Sequence, residues 1–192
     1  MTIHLTSELK KSILIIILLI ISGLSTYFTL QLVKDETKTH FNKPKNPDAF
    51  ITNITYQEYD EQGKLHTTIK TPKLVHYSYL NSSKFEQPII IIYGKNNDIW
   101  RISAVHGTAD HGNKTIDLIG DVKLHRPKNA NNKAITITTD KATVHPKQKT
   151  AETTKPINIK EQGFTANAVG AKADLNTGVI KLQSKVKEIY TP

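Results

Sequence analysis

The side chains that could do chemistry are spread along this chain without forming a catalytic or metal-binding motif. The chain has no cysteine, which excludes thiol nucleophiles and zinc–thiolate sites. It has eight histidines, but none form an i, i+4 pair on a helix of the kind that binds zinc in metalloproteases. His106 and His111 flank a turn that also carries Asp110, and we interpret them as polar residues at the end of a hairpin.

Paired carboxylates or an activated serine would also indicate an enzyme. Asp110, Asp117 and Asp121 are close in sequence, but Asp117 stands between two apolar neighbours and is expected to face solvent. There is no Gly-x-Ser-x-Gly nucleophile elbow, and no Gly-rich phosphate loop leads into a helix. We therefore predict a protein that is not an enzyme and that uses no cofactor and no metal.

The most strongly patterned stretch is Ile13–Val33, which contains no charged residue. As a helix it would be about 31 Å long, close to the thickness of a bilayer's hydrocarbon core. Lys10 and Lys11 precede it, which favours a cytoplasmic N-terminus. The sequence thus predicts a cytoplasmic tail over 1–12, a transmembrane helix over 13–33, a polar linker over 34–48 and an exported domain over 49–192.

A cleaved signal peptide is the alternative for the same stretch. Ile13–Ile21 could be its apolar region, and Gly23-Leu24-Ser25 could be its cleavage site. No Ala-x-Ala sequence is present there, and the apolar run resumes after Leu24, so we favour a retained anchor.

The chain is basic, with a formal net charge of +9. A positive surplus suits an acidic partner such as phosphorylated lipid headgroups, but scattered lysines also serve to keep strand faces and edges soluble. We favour solubility, because the only arginines are Arg101 and Arg126 and no cluster forms. The absence of a basic stripe interleaved with aromatic residues argues against nucleic acid.

From Ala49 onward the sequence predicts only strands. Thr, Ile, Val and Tyr alternate with period two in short runs that are separated by turn residues. Asp60–Gly63 predicts a hairpin loop with its glycine at positive φ, and Ile89–Tyr93 is apolar throughout, which suggests burial on both faces. Trp100 is expected in the core. The pattern favours an all-β sandwich, jellyroll or open barrel.

A set of short motifs behind the anchor resembles one family. The motifs are Phe85-x-Gln87-Pro88, Trp100 followed by small residues, Gly120-Asp-Val, Ile137-Thr-Thr-Asp140 and Lys185-Val-x-x-x-Tyr190. Together they are similar to LptC, the bitopic component of the bacterial lipopolysaccharide export system. The resemblance covers almost the whole chain in order, but Pro156 stands where a glycine would be expected.

The resemblance implies a twisted, open β-jellyroll (OstA-like), made of two facing antiparallel sheets and preceded by one transmembrane helix. It implies a single-pass inner-membrane protein whose C-terminal domain is periplasmic. Its partners would be the lipid A acyl chains of lipopolysaccharide, the inner-membrane Lpt ABC transporter complex and the soluble, LptA-like periplasmic bridge protein. The protein would receive lipid from the transporter and pass it to the bridge protein. Whether two copies pair as a homodimer is left open.

The resemblance also implies four groove residues. The aromatic before Gln-Pro falls on Phe85, and the C-terminal aromatic near the junction with the bridge protein falls on Tyr190. Two further positions fall on Ile54 and Ile180. Plain core packing is the alternative for all four. The alternative function is an envelope scaffold that binds only proteins through its β-edges, and it predicts a filled interior rather than an apolar groove.

Overall fold

The computed structural model describes residues 18–29, 46–95, 98–112 and 114–190. The chain divides into two units, Met1–Pro44 and Lys45–Pro192. The described part of the first unit is a helix over residues 18–29. No helix in the described residues is both long enough and apolar enough to cross a membrane. The predicted tail, both ends of the predicted span and most of the predicted linker lie outside the described residues.

Within its described residues, the second unit contains eleven strands and the 3₁₀ turn Ser78–Leu80. The strands are β1 (Ala49–Tyr59), β2 (Leu65–Tyr77), β3 (Ser82–Glu86), β4 (Ile89–Tyr93), β5 (Ile99–Ser103), β6 (His106–Asp110), β7 (Thr115–Arg126), β8 (Ile135–His145), β9 (Thr150–Glu161), β10 (Phe164–Asp174) and β11 (Ile180–Tyr190). They form one sheet in which every pairing is antiparallel, so the all-β prediction is confirmed.

The sheet follows chain order except at its centre. On one side β2 pairs with β1, and on the other it pairs with β3 along its second part and with β4 along its first part. In the same way β7 pairs with β6 and then β5 on one side, and with β8 on the other. The strands β8 to β11 continue as a simple meander. The short strands therefore divide the sheet into a β3/β6 half and a β4/β5 half, which share the long strands.

The long strands kink where the two halves meet. The pairing registers shift between Ile119 and Val122 in β7 and between Val169 and Ala171 in β10. The kinks contain positive-φ residues, Asn53 (52°), Gly120 (82°), Gly170 (79°) and Lys185 (51°). Bulges of this kind bend a strand and increase its twist. The kinks fold the sheet over, so that the two predicted facing sheets are two halves of a single one.

Threonine hydroxyls accompany the kinks. Thr139 Oγ1 donates to the Pro156 carbonyl at 2.9 Å, and Thr153 Oγ1 donates to the Lys141 carbonyl at 2.5 Å. Both carbonyls lie where the ladder between β8 and β9 is interrupted. These hydroxyls supply donors to carbonyls that the interrupted ladder leaves without a strand partner, and so help the strands to bend.

The core fills the space between the two halves. Ile92, Trp100, Ile102 and Leu118 are all 0 % exposed, which confirms the prediction for Trp100. In β4 only alternate residues are buried, and Ile89 is 37 % exposed. The prediction that this run is buried on both faces is therefore wrong, because β4 lies in a sheet that has its core on one side.

A buried polar cluster fixes the loop after β7. The Asp98 carboxylate, 5 % exposed, accepts hydrogen bonds from the side-chain amides of Asn129 at 2.6 Å and Asn132 at 3.1 Å. Arg126 lies 3.8 Å from the same carboxylate and 5.4 Å from the Trp100 ring centroid. The polar loop Pro127–Asn132 is thus attached to the end of the core.

Candidate functional site

A cavity of about 340 Å³ opens between the two halves beside the edge strand β1. Its wall is mainly apolar and comes from both halves: Ile54, Tyr56, Ile69, Leu74, Phe85, Ala109, Ile116 and Pro146. The volume lies at the lower end of the range of about 300–1,000 Å³ that is typical of ligand pockets. The cavity can therefore hold a slender apolar group.

Strand alternation positions the β1 side of this cavity. Ile54 lies opposite Thr71, and Tyr56 lies opposite Ile69, so both side chains point toward the other half. Tyr56 is nevertheless 52 % exposed, because the cavity leaves its ring uncovered. Thr55 and the other intervening β1 residues point the opposite way, to solvent.

The back of the cavity is tightly packed. Phe85, 6 % exposed, lies opposite Leu74 in β2 and Gly107 in β6. A Cβ atom on Gly107 would meet Leu118 and Pro88 at 3.2 Å and Phe85 at 3.3 Å. The apolar wall therefore continues into the solid core without a further opening.

A hydrogen-bonded chain of polar side chains crosses the β3/β6 wall. Ser83 Oγ lies 3.0 Å from His76 Nδ1 and 2.9 Å from His111 Nε2, and the two imidazole rings are 5.7 Å apart. Ser83 is 4 % exposed and sits in a strand paired on both sides. These groups are hydrogen-bonded to one another, which allows polar side chains to line a largely apolar wall.

Charged side chains stand at the rim of the cavity. Lys114 and Lys147 come from the turns before β7 and before β9, while Glu58 and Asp110 contribute carboxylates. Burial lowers the pKa of the neighbouring His66, the positive charge of Lys149 and more weakly that of Lys147 lower it further, and the carboxylates of Glu58 and Asp60 oppose the shift. The rim thus carries charged groups of both signs.

The opposite end of the sheet is closed. Between the halves near β9 and β10 the remaining space is only about 20 Å³. Small side chains line it on the β3/β6 half, namely Ala142, Ala151, Ala171 and Ala173. Beyond them, the Tyr190 ring packs 5.1 Å from the Phe164 ring and is 73 % exposed.

The four residues selected from the sequence fall at two separate places. Ile54 and Phe85 line the same cavity, whereas Ile180 lines the small closed space and Tyr190 lies at the edge strand β11. Register places all four on inner faces, since Ile180 lies opposite buried Ala173 and Tyr190 opposite Phe164. Their role in lipid binding stays a prediction.

Sequence reasoning missed several residues of the cavity. Tyr56 could have been found, because it follows Ile54 by two positions in a strand. His76, Ser83 and His111 come from separate segments and meet only through long-range pairing, which leaves no local signal. Among the described residues, no group of three His, Cys, Asp or Glu side chains could hold a metal ion.

Comparison with known proteins identifies one family. The family model described as "Lipopolysaccharide-assembly, LptC-related" matches residues 14–191. No curated protein matches the chain. A solved structure of LptH from Pseudomonas aeruginosa, described as the LptA homologous periplasmic component of the lipopolysaccharide transport device, is 7 % identical to the chain. That match covers 78 % of this chain and 99 % of LptH, with a TM-score of 0.39, which is too weak to define the fold.

Proposed function

Since the chain belongs to the LptC-related family of lipopolysaccharide-assembly proteins, we propose that it relays lipopolysaccharide by binding acyl chains in the cavity beside β1. It would receive the lipid from the inner-membrane ABC transporter and pass it to the periplasmic bridge protein without catalysing a reaction. The observation that carries this proposal is the apolar cavity of about 340 Å³, open at the edge of the folded sheet.

The chemistry of the cavity suits an acyl chain. Each methylene group moved from water to an apolar wall contributes about 0.8 kcal/mol, so a chain of modest length binds without any specific polar contact. The wall carries exposed apolar surface in the free protein, including Tyr56. Such surface is normally covered by a ligand or a partner.

The two edge strands support the idea of docking at both ends. In the described residues, β1 pairs only with β2 and β11 pairs only with β10. Both edges carry exposed apolar side chains: Phe50, Ile51, Tyr56 and Tyr59 in β1, and Val186, Ile189 and Tyr190 in β11. An unpaired edge of this kind can accept a strand from another protein.

The proposal includes the predicted membrane topology. The helix over 13–33 would anchor the chain, with 1–12 in the cytoplasm, a linker over 34–48 and the domain over 49–192 in the periplasm. What supports it is the uncharged stretch Ile13–Val33 with Lys10 and Lys11 in front of it. N-terminal sequencing of the mature chain should find a start that precedes Ile13, and a start near Ser25 would indicate signal cleavage instead.

Site-specific photocrosslinking in cells tests the lipid-binding role. A photoreactive residue at Tyr56 should form an adduct with lipopolysaccharide, because that side chain lines the cavity. Thr55 is the matched control, since it is the neighbouring residue in β1 and points to the outer face. Equal lipid labelling at both positions, or protein adducts alone at Tyr56, would contradict the relay.

A scaffold that binds only proteins is the second candidate. The solid core and the closed end near β9 and β10 favour it, because they leave no continuous groove between the two edge strands. The scaffold predicts no lipid adduct at Tyr56 while protein adducts at both edges remain. The same crosslinking experiment therefore separates the two functions.

A further inference from the structure

Two lysines at the rim of the cavity make no ion pair with any described residue. Lys114 and Lys147 both contribute to the cavity lining, and both are exposed. By contrast, Lys73 Nζ lies 2.8 Å from Glu86, and Lys172 Nζ lies 3.5 Å from Glu152. The two rim lysines therefore hold positive charge at the mouth of an apolar cavity.

Two carboxylates lie at the same rim. Glu58 lines the cavity from β1 and forms no ion pair among the described residues. Asp110 Oδ1 accepts the backbone N–H of Gly112 at 2.9 Å, which fixes that side chain in its own turn. An anion at the mouth would thus find two ammonium groups from neighbouring turns, one before β7 and one before β9.

We propose that Lys114 and Lys147 bind a phosphate of the amphiphile whose acyl chain occupies the cavity. This inference rests on the proposed function and assigns the phosphate contact of the same ligand to these two residues. An apolar wall below two unpaired ammonium groups matches a molecule with an acyl chain next to an anionic group. The acyl chain supplies most of the affinity, and the phosphate selects which lipid enters and in which orientation.

The contribution of the two lysines to lipid affinity is limited by their exposure to solvent. Both lysines are solvent-exposed, so each contact is partly screened, and it weakens as salt increases. Removing both should lower the affinity for a phosphorylated lipid several-fold, and should leave the affinity for the same lipid without phosphate unchanged. The remaining binding should also lose most of its dependence on salt.

The test uses the full chain with the photoreactive residue at position 56 and two lipids, bisphosphorylated lipid A and its dephosphorylated form. In the double variant Lys114→Gln, Lys147→Gln, the half-saturating concentration should rise several-fold for the phosphorylated lipid only. Lys123→Gln, Lys160→Gln is the matched control, because both lysines are exposed and lie in strand positions that alternate with buried core residues. This control should leave the half-saturating concentration unchanged for both lipids.

Each outcome has a defined meaning. An equal change for both lipids, or no change for either, overturns the phosphate contact while the relay stands. No adduct with either lipid in the photoreactive chain that retains both lysines overturns the relay and this inference with it. Added inorganic phosphate should produce no saturable shift of the Lys114 amide resonance, and a shift that the double variant abolishes would assign the site to free phosphate instead.

A third variant tests the sign of the charge effect. Glu58→Gln removes a carboxylate from the same rim without touching the lysines. It should tighten binding of the phosphorylated lipid and leave the dephosphorylated one unaffected. Weaker binding of the phosphorylated lipid in this variant would contradict the proposed charge arrangement.

Discussion

The two ends of the folded sheet differ in how they fill the space between their inner faces. At the β1 end the halves enclose about 340 Å³, whereas near β9 and β10 only about 20 Å³ remains. Both ends finish in an edge strand with exposed apolar side chains. The same architecture thus provides an open pocket at one end and a closed seam at the other.

The side chains explain much of this difference. At the closed end, alanines on the β3/β6 half face isoleucines such as Ile137 and Ile157 on the other half, so the two halves pack closely. At the open end, larger residues such as Phe85 and Leu74 form a wall, and nothing from β1 fills the space in front of them. Lipid that entered beside β1 would have to separate packed side chains to reach β11.

The largest effect is expected where the cavity meets the core. Leu118 is 0 % exposed and closes the back of the cavity next to Gly107. Leu118→Ala should lower the free energy of unfolding by about 2–5 kcal/mol, because it removes buried methyl groups and leaves a void. It should also extend the open end toward the closed one.

Urea unfolding followed by circular dichroism measures this loss. Ile119→Ala is the matched control, because Ile119 is the next residue in β7 and is 52 % exposed. Ile119→Ala should lower the free energy of unfolding by much less than Leu118→Ala does. Similar losses for the two variants would mean that the back wall of the cavity is not a packed barrier.

Replacing an alanine by leucine at each end should show the difference in packing directly. Ala171 lines the closed space, and Ala109 lines the open cavity. Ala171→Leu should destabilise the protein by about 1–3 kcal/mol because its side chain has no room. Ala109→Leu should be tolerated much better, since the cavity can accept the added atoms, and it should reduce lipid labelling at Tyr56. Equal unfolding midpoints for the two variants would contradict the difference in packing.

Local sequence signals were sufficient for the strands and for some turns. The hairpin at Asp60–Gly63 is confirmed: Asp60 Oδ1 accepts the Gln62 and Lys64 backbone N–H groups, and Gly63 has a φ of 75°. The kinks were not predicted. Leu65–Tyr77 is one bent strand whose first part pairs with β4 and whose second part pairs with β3, and no local pattern indicates this division.

The cavity was predicted only in part, because its shape also depends on long-range strand pairing. Ile54 and Phe85 came from a resemblance, and the structure brings them to the same cavity. Ile180 lies at the other end, and no sequence pattern indicates that the seam between the ends is closed. Closure depends on the match of side-chain volumes across the fold. Which residues face each other depends in turn on registers that are set by long-range pairing.

The hydroxyl bonds at the kinks should also differ between the two ends. Near the open end, Thr71 is 4 % exposed and its Oγ1 donates to the Glu86 carbonyl at 2.5 Å. In the edge strand β11, Ser184 is exposed and donates to the Val169 carbonyl at 3.0 Å. Thr71→Val should cost about 1–2 kcal/mol, because the Glu86 and Lys73 carbonyls lose a partly buried donor, whereas Ser184→Ala should cost less than about 0.5 kcal/mol. Chemical denaturation gives both values, and a larger loss at Ser184 would contradict the ranking.

The smallest expected effect concerns the charge that distinguishes the open end. Burial and the charge of Lys149 lower the pKa of His66 from its usual 6.5, Glu58 and Asp60 oppose this shift, and Lys147 adds a smaller lowering. The folded state therefore binds the His66 proton less readily than the unfolded state, so the contribution of His66 to stability is fully present above pH 6.5 and is lost as pH falls through the folded pKa. An NMR titration of the His66 ring should show a midpoint below 6.5, and Lys147→Gln should move it upward because one repelling charge is removed. Lys160→Gln should leave the midpoint in place. If Lys147→Gln also left it unchanged, the positive field at the cavity rim would have to come from other residues, and the proposed phosphate contact would lose part of its physical basis.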